Sequence, residues 1–178
     1  FDLPFPDNCF NVIYSSNVLE HIPHIIDFQS EIQRVLKPHG TAIHLMPSGS
    51  WRIWSNISYY IDKIKKFSKI LFTSESHSPP TPRPGDYKNR KKRSYFQMLF
   101  PSRHGEIGNA ITEIYYFSQG FWKKLFKQTN WKIKKIATNR LFYTGNAVFG
   151  ARMPVRLRKI LSFILGSSCN LFILEKIQ

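Results

Sequence analysis

Residues 10–46, FNVIYSSNVLEHIPHIIDFQSEIQRVLKPHGTAIHLM, decide the fold. The run at 10–14 is mostly apolar and β-prone and follows a Pro-Asp-Asn turn, which predicts a buried strand. Asp27 then offers an N-cap for a helix. The apolar positions that follow recur at helical spacing and share one face: Phe28, Ile32, Val35 and Leu36.

The sequence also predicts where this helix ends and where the next strand lies. Lys37 suits a last helical turn, Pro38 blocks continuation, and Gly40 suits the left-handed position that follows a helix. Residues 41–46 predict a second strand. A strand, a helix and a strand joined by short links imply a parallel pair with a right-handed crossover.

Further elements continue the alternation. Residues 57–69 predict a basic amphipathic helix, and Ser118 is expected to cap a helix with Phe121, Trp122, Leu125 and Phe126 facing inward. Strands are predicted at 131–136 and 170–175. Pro154 is expected to begin a buried helix, ended by Gly166, with these residues inside: Leu157, Ile160, Leu161 and Ile164. The fold class is therefore α/β with a mostly parallel sheet.

Composition limits the classes of function. The 178 residues carry 26 Lys and Arg against 11 Asp and Glu, a net charge of +15 that favours anionic partners. Two cysteines cannot form a disulfide framework, and no apolar run is long enough to cross a membrane, so a cytoplasmic location is predicted. A proline-rich stretch with a basic run at 88–93 predicts a flexible basic insertion over residues 74–103.

Three motifs within forty residues carry a family resemblance: LPFPDNCFNVI at 3–13, NVLEH at 17–21 and RVLKPHG at 34–40. In this order they resemble the second half of class I S-adenosylmethionine-dependent methyltransferases. The resemblance implies an incomplete Rossmann-like fold with strands four to seven and their flanking helices, the last strand antiparallel, and residues 1–178 as the C-terminal part of the domain. Asn11 and His39 stand where the family usually has Asp and Gly.

The resemblance also implies S-adenosyl-L-methionine as the cofactor. Its glycine-rich loop has no counterpart, because no Gly-x-Gly-x-Gly occurs in the sequence. The chain is therefore interpreted as truncated, inactive alone and a poor binder of the cofactor. The residues expected to contact the cofactor surround the end of the first strand: Asp2, Ser15, Ser16, Asn17 and Glu20.

Candidate catalytic residues are His21, His104 and Glu106, since imidazole and carboxylate groups can take a proton from an acceptor. Aromatic and basic groups after the second strand are candidates for acceptor binding, with core packing as the alternative for the tryptophans: Trp51, Arg52 and Trp54. His21 and His24 are spaced as an H-x-x-H pair, but no third ligand is evident in the sequence, so no metal site is predicted.

Two functions remain open. The first is methyl transfer to a small-molecule or carbohydrate acceptor, in which the basic run at 88–93 is a solvated loop. The second is a non-catalytic basic module that binds RNA through that run, or an anionic membrane through basic and apolar residues at 152–163. Nucleic acid is the less favoured partner.

Overall fold

The computed structural model describes residues 2–72, 100–143, 148 and 152–177, so most of the predicted insertion lies outside the described residues. Four strands, five α-helices and one 3-10 turn alternate along these ranges. In chain order they are β1 Phe10–Ser16, the 3-10 turn Leu19–His21, α1 Ile25–Val35, β2 Leu36–Pro47, α2 Gly49–Phe72, α3 Glu113–Tyr116, α4 Gln119–Gln128, β3 Trp131–Thr138, α5 Val155–Leu165 and β4 Cys169–Lys176.

The strands form one mixed sheet in the order β1-β2-β4-β3. β1 and β2 are parallel, with Val12 opposite Thr41 and Ser16 opposite Leu45. β4 runs antiparallel to both β2 and β3 and lies between them. Three strands therefore point one way and the last points the other, which confirms the predicted α/β class and the antiparallel last strand.

The prediction that β1 is buried was wrong. Val12 is 56% exposed and Tyr14 63% exposed. The reason is position, because within the described residues β1 pairs with β2 along one side only and forms an edge of the sheet. Apolar side chains on such an edge have no neighbouring strand to cover them.

The end of α1 also differs from the prediction. The helix stops at Val35, and Leu36 already begins β2, so Lys37 is not in a helical turn. His39 rather than Gly40 adopts the left-handed conformation, with φ 62°. Gly40 is required for space instead, since a Cβ there would lie 2.6 Å from the Leu36 Cγ and 2.8 Å from the Lys37 carbonyl oxygen.

The core joins the sheet to α1 and α4. Phe126 of α4 is fully buried against Phe172 of β4, with ring centroids 5.2 Å apart. The predicted cap of α4 is confirmed, because the Ser118 hydroxyl accepts a hydrogen bond of 3.2 Å from the Phe121 backbone N–H. Trp122 and Leu125 are buried as the pattern predicts, and Phe121 packs at the core's margin.

α5 does not bury its predicted apolar face. Leu157, Ile160 and Ile164 are exposed, at 43%, 60% and 79%, whereas Ser162 is buried. The helix is held by its backbone: the Leu165 carbonyl accepts from Trp54 Nε1 at 2.9 Å and the Arg158 carbonyl accepts from Phe142 N–H at 3.1 Å. These contacts turn the side of α5 that carries Ser162 inward, while Leu157, Ile160 and Ile164 face outward.

Candidate functional site

The site lies at the carboxyl ends of the parallel strands β1 and β2, the place where open α/β sheets bind ligands. β1 ends at Ser16 and leads into the 3-10 turn that carries Glu20 and His21. β2 ends at Pro47 and leads into the first turn of α2, which carries Trp51. Neighbouring parallel strands thus deliver two polar segments to one edge of the sheet.

A third segment, the loop at residues 101–109, brings His104 to the same place. The imidazole rings of His21 and His104 lie 5.0 Å apart between centroids, and the Trp51 ring lies 4.8 Å from His104. His21 Nε2 is 3.9 Å from Glu20 Oε1. The structure therefore joins four predicted site residues from three segments that are far apart in sequence.

Glu113 holds the loop in place. Its Oε1 accepts hydrogen bonds from the backbone N–H groups of His104, at 2.7 Å, and Gly105, at 2.8 Å. Its Oε2 lies 2.8 Å from Arg52 Nε in a fully buried ion pair. The Glu106 N–H donates to the Glu20 carbonyl at 2.9 Å, which ties the loop to the 3-10 turn. Sequence reasoning missed Glu113, because its partners are two loop N–H groups with no side-chain signature and Arg52, which is 61 residues away.

The Glu20 carboxylate has an unusual environment. The side chain is 1% exposed, and both oxygens lack a hydrogen-bond partner. Burial raises the pKa of Glu20, while the residue's own backbone N–H and the nearby His21 act in the opposite direction. Partial burial is the main cause that lowers the pKa of His104, and the charge of His21 adds to it. The imidazole of His104 thus favours its neutral form, with a free lone pair.

The structure places some of the residues predicted to contact the cofactor at the site and others away from it. Ser16 and Asn17 lie at the end of β1, where Asn17 adopts φ 51° and its backbone N–H donates to Leu45 at 2.8 Å. The Ser15 hydroxyl shares a hydrogen bond of 2.8 Å with His44 Nδ1 inside the sheet. Asp2 is not brought to the site, since its fully exposed side chain lies 4.0 Å from Arg34 near the other end of β1.

Three other predicted residues point elsewhere. Arg52 is committed to Glu113 and to the Ser102 carbonyl, which accepts its hydrogen bond at 2.7 Å. Trp54 packs edge-on against Phe142, with ring centroids 5.3 Å apart, and anchors α5. Glu106 lies 3.6 Å from Arg103 in an exposed ion pair. Of the residues proposed for acceptor binding, Trp51 alone reaches the histidines in the described part of the chain.

Comparison with known proteins relates the first part of the sequence to a family. Residues 1–44 match the methyltransferase domain family. Sterol 24-C-methyltransferase ERG6B of Gibberella zeae is 47% identical over 38 residues, which are 21% of this chain and 10% of that protein. The opening quarter of the chain therefore carries the sequence of the methyltransferase domain, as its three motifs predicted.

Comparison with solved structures adds a likeness in fold. The methyltransferase bound to the Trm112 activator of Haloferax volcanii aligns with a TM-score of 0.50 at 11% identity, over 99% of this chain and 58% of its own. A SAM-dependent methyltransferase of Aquifex aeolicus aligns with a TM-score of 0.44 at 8% identity, over 99% and 50%. The chain spans 50% and 58% of the length of these structures, and the matched segment spans a tenth of the sterol enzyme.

Proposed function

We propose that this chain supplies the acceptor side of a SAM-dependent methyltransferase that acts on a small-molecule or carbohydrate acceptor. The observation that carries the proposal is the convergence of His21, Trp51 and His104 at the carboxyl ends of β1 and β2. The methyltransferase-domain match at residues 1–44 supports the reaction class.

Each group has a role that follows from its contacts. Trp51 and Phe117 wall the His104 ring, with centroids at 4.8 Å and 6.1 Å, and present an apolar surface to a bound acceptor. The neutral imidazole of His104, or the side chain of His21, accepts the proton of the acceptor hydroxyl. The loss of that proton leaves an oxygen that can form the new bond to carbon.

S-adenosyl-L-methionine supplies an electrophilic methyl group when bound. Ser16 and Asn17 suit the margin of its pocket, because their polar side chains stand at the end of β1. No Gly-x-Gly-x-Gly occurs in the 178 residues to give the close backbone approach that such cofactors need. We therefore propose that this chain alone holds the cofactor weakly and acts on the acceptor.

Calorimetric titration with S-adenosyl-L-methionine tests the cofactor part. The 178-residue chain is expected to show negligible heat, and micromolar binding by it would refute this division of labour. In the natural protein that contains these residues, Ser16→Ala or Asn17→Ala should weaken binding without unfolding. Unchanged binding in both variants would remove Ser16 and Asn17 from the pocket.

The acceptor class is tested by a panel of hydroxyl compounds. Phenols, small alcohols and monosaccharides are each supplied with the natural protein and S-adenosyl-L-methionine, and S-adenosylhomocysteine is measured. We expect turnover with at least one of these classes. Turnover with RNA or protein acceptors in place of all of them would contradict the proposed acceptor.

A second candidate function is contact with an anionic membrane surface, and exposure of α5 favours it. Phe163 and Ile164 are exposed at 78% and 79%, on a helix that also carries Arg156 and Lys159. Ile64 and Phe67 of α2 are exposed at 67% and 64% among lysines. Exposed apolar groups beside cations suit the interface of an anionic bilayer. Among the described residues, no helix has the length and hydrophobicity of a membrane span.

Sedimentation with vesicles tests this candidate. Binding is expected to phosphatidylglycerol vesicles and not to phosphatidylcholine vesicles, and Phe163→Ser with Ile164→Ser should remove it. The control Leu157→Ser changes a less exposed residue of the same helix and should retain most binding. Equal binding by the double variant would exclude α5 as the membrane surface.

A further inference from the structure

Glu20, His21 and His104 place three metal-ligating groups around one point. One ligand atom from each, a carboxylate oxygen and two ring nitrogens, lies within 4.8 Å of the other two. Donors bound to one zinc ion at about 2.0 Å from the metal are separated by about 3 Å. Moderate side-chain rotation brings the three atoms to that spacing, and His21 has the freedom for it since its side chain is 43% exposed.

The buried carboxylate is the independent sign that something binds here. The Glu20 side chain is 1% exposed, and neither of its carboxylate oxygens has a hydrogen-bond partner. An unpartnered carboxylate inside a protein costs free energy, and a bound cation removes that cost. The nearest basic group, His21 Nε2 at 3.9 Å, is too distant for a hydrogen bond.

The surrounding structure positions the ligands before any ion arrives. Glu113 fixes the loop backbone by accepting hydrogen bonds from the N–H groups of His104 and Gly105. The hydrogen bond of 2.9 Å from the Glu106 N–H to the Glu20 carbonyl holds the loop against the 3-10 turn. Trp51 and Phe117 limit the orientations of the His104 ring. Supports of this kind orient metal ligands in proteins.

We propose that Glu20, His21 and His104 form a binding site for one divalent transition-metal ion. Two imidazoles and one carboxylate suit borderline ions such as Zn²⁺ rather than Mg²⁺ or Ca²⁺, which prefer oxygen ligands. Three protein ligands leave at least one position for water or for an oxygen of an acceptor. A bound ion would occupy the imidazole lone pairs, so the histidines could not then accept a proton. The ion itself would activate an acceptor hydroxyl by coordinating its oxygen.

Metal binding can be tested separately from the proposed methyl transfer, because it is measured without cofactor or acceptor. The tag-free 178-residue chain is treated with chelator, exchanged into clean buffer and titrated with Zn²⁺ in a calorimeter. Co²⁺ is added in a parallel titration to record visible absorption bands and their displacement by Zn²⁺. We expect one Zn²⁺ per chain, and Co²⁺ bands that Zn²⁺ abolishes.

The variants locate the site. Glu20→Gln, His21→Asn and His104→Asn should each weaken Zn²⁺ binding by at least about tenfold, the lower end of the loss caused by removing even a supporting partner. The matched control is His24→Asn, an exposed histidine three residues from His21. It should bind as the wild type does.

Circular dichroism of each variant separates loss of the site from loss of the fold. If Glu20→Gln fails to fold, the two exposed histidine variants still decide the matter. An absence of stoichiometric binding by the wild type would overturn the proposal, as would equal losses in His24→Asn and His104→Asn. Binding that survives removal of both His21 and His104 would overturn it as well.

Discussion

His44 lies in the middle of β2, and its ring is fully buried beside that of Phe126. Nδ1 shares a hydrogen bond of 2.8 Å with the Ser15 hydroxyl, while Nε2 has no partner. Burial lowers the pKa of His44 to about 4, against an ordinary value of about 6.5. The folded protein therefore keeps this imidazole neutral in mildly acidic solution.

A pH dependence of stability follows. Between pH 6.5 and 4 the unfolded chain binds a proton at His44 and the folded chain does not, so the free energy of unfolding falls as the pH falls. The difference between the folded and unfolded pKa of His44 corresponds to roughly 3 kcal/mol in the free energy of unfolding. Urea unfolding at several pH values measures this slope. His44→Gln should flatten it relative to His24→Gln, and equal slopes would contradict the assignment.

The buried Arg52–Glu113 pair gives a second prediction at this scale. Glu113→Gln removes the charge opposite Arg52, which is 4% exposed, and should cost about 3–5 kcal/mol in the free energy of unfolding. The control Glu106→Gln breaks an exposed ion pair and should cost at most about 1 kcal/mol. Urea unfolding compares the two. Similar small costs would show that Glu113 does not hold the loop.

Sequence patterns locate residues whose role is local. Ser118 caps α4, as its position before the apolar pattern predicted. Glu113 and the true role of Arg52 depend on a contact across 61 residues of sequence, which no local pattern contains. The approach of His104 to His21 across 83 residues belongs to the same class.

At the scale of elements, periodicity identified strands and helices but not which apolar faces are covered. The pattern of α5 is amphipathic, yet hydrogen bonds to its Leu165 and Arg158 carbonyls accompany an orientation in which Ile160 and Ile164 are exposed. β1 has the composition of a central strand and lies at an edge of the described sheet. Burial is a property of the neighbouring elements, so a pattern within one element cannot fix it.

Two glycines test the packing of individual elements. Gly40→Ala places a Cβ 2.8 Å from the Lys37 carbonyl oxygen and 2.6 Å from the Leu36 Cγ, and should destabilise the fold by about 1–3 kcal/mol. Gly120→Ala in α4 meets only the Ser118 Oγ, at 3.7 Å, and should stabilise it by up to about 1 kcal/mol. Thermal unfolding compares the variants. Stabilisation by both would contradict the tight turn at Gly40.

At the scale of the whole molecule, the net charge of +15 raises the question of a polyanionic partner. If the basic run at 88–93 is solvated, neutralising its five cations should change the free energy of unfolding by less than about 0.5 kcal/mol and leave methyl transfer unchanged. Filter binding to single-stranded RNA at two salt concentrations tests the alternative that the run binds a polyanion. A salt-sensitive complex that the neutralised variant loses would favour the RNA-binding alternative.

The most direct test of the proposed site is S-adenosylhomocysteine formation by the natural protein containing these residues. It uses an acceptor identified by the hydroxyl panel and compares His21→Gln, His104→Gln and the control His24→Gln. Loss of the proton-accepting group should slow turnover by at least about a hundredfold, and we expect this for His104→Gln or His21→Gln with His24→Gln unaffected. Wild-type turnover in both site variants, or no S-adenosylhomocysteine from the wild type with any acceptor, would contradict a methyl-transfer site at this cluster.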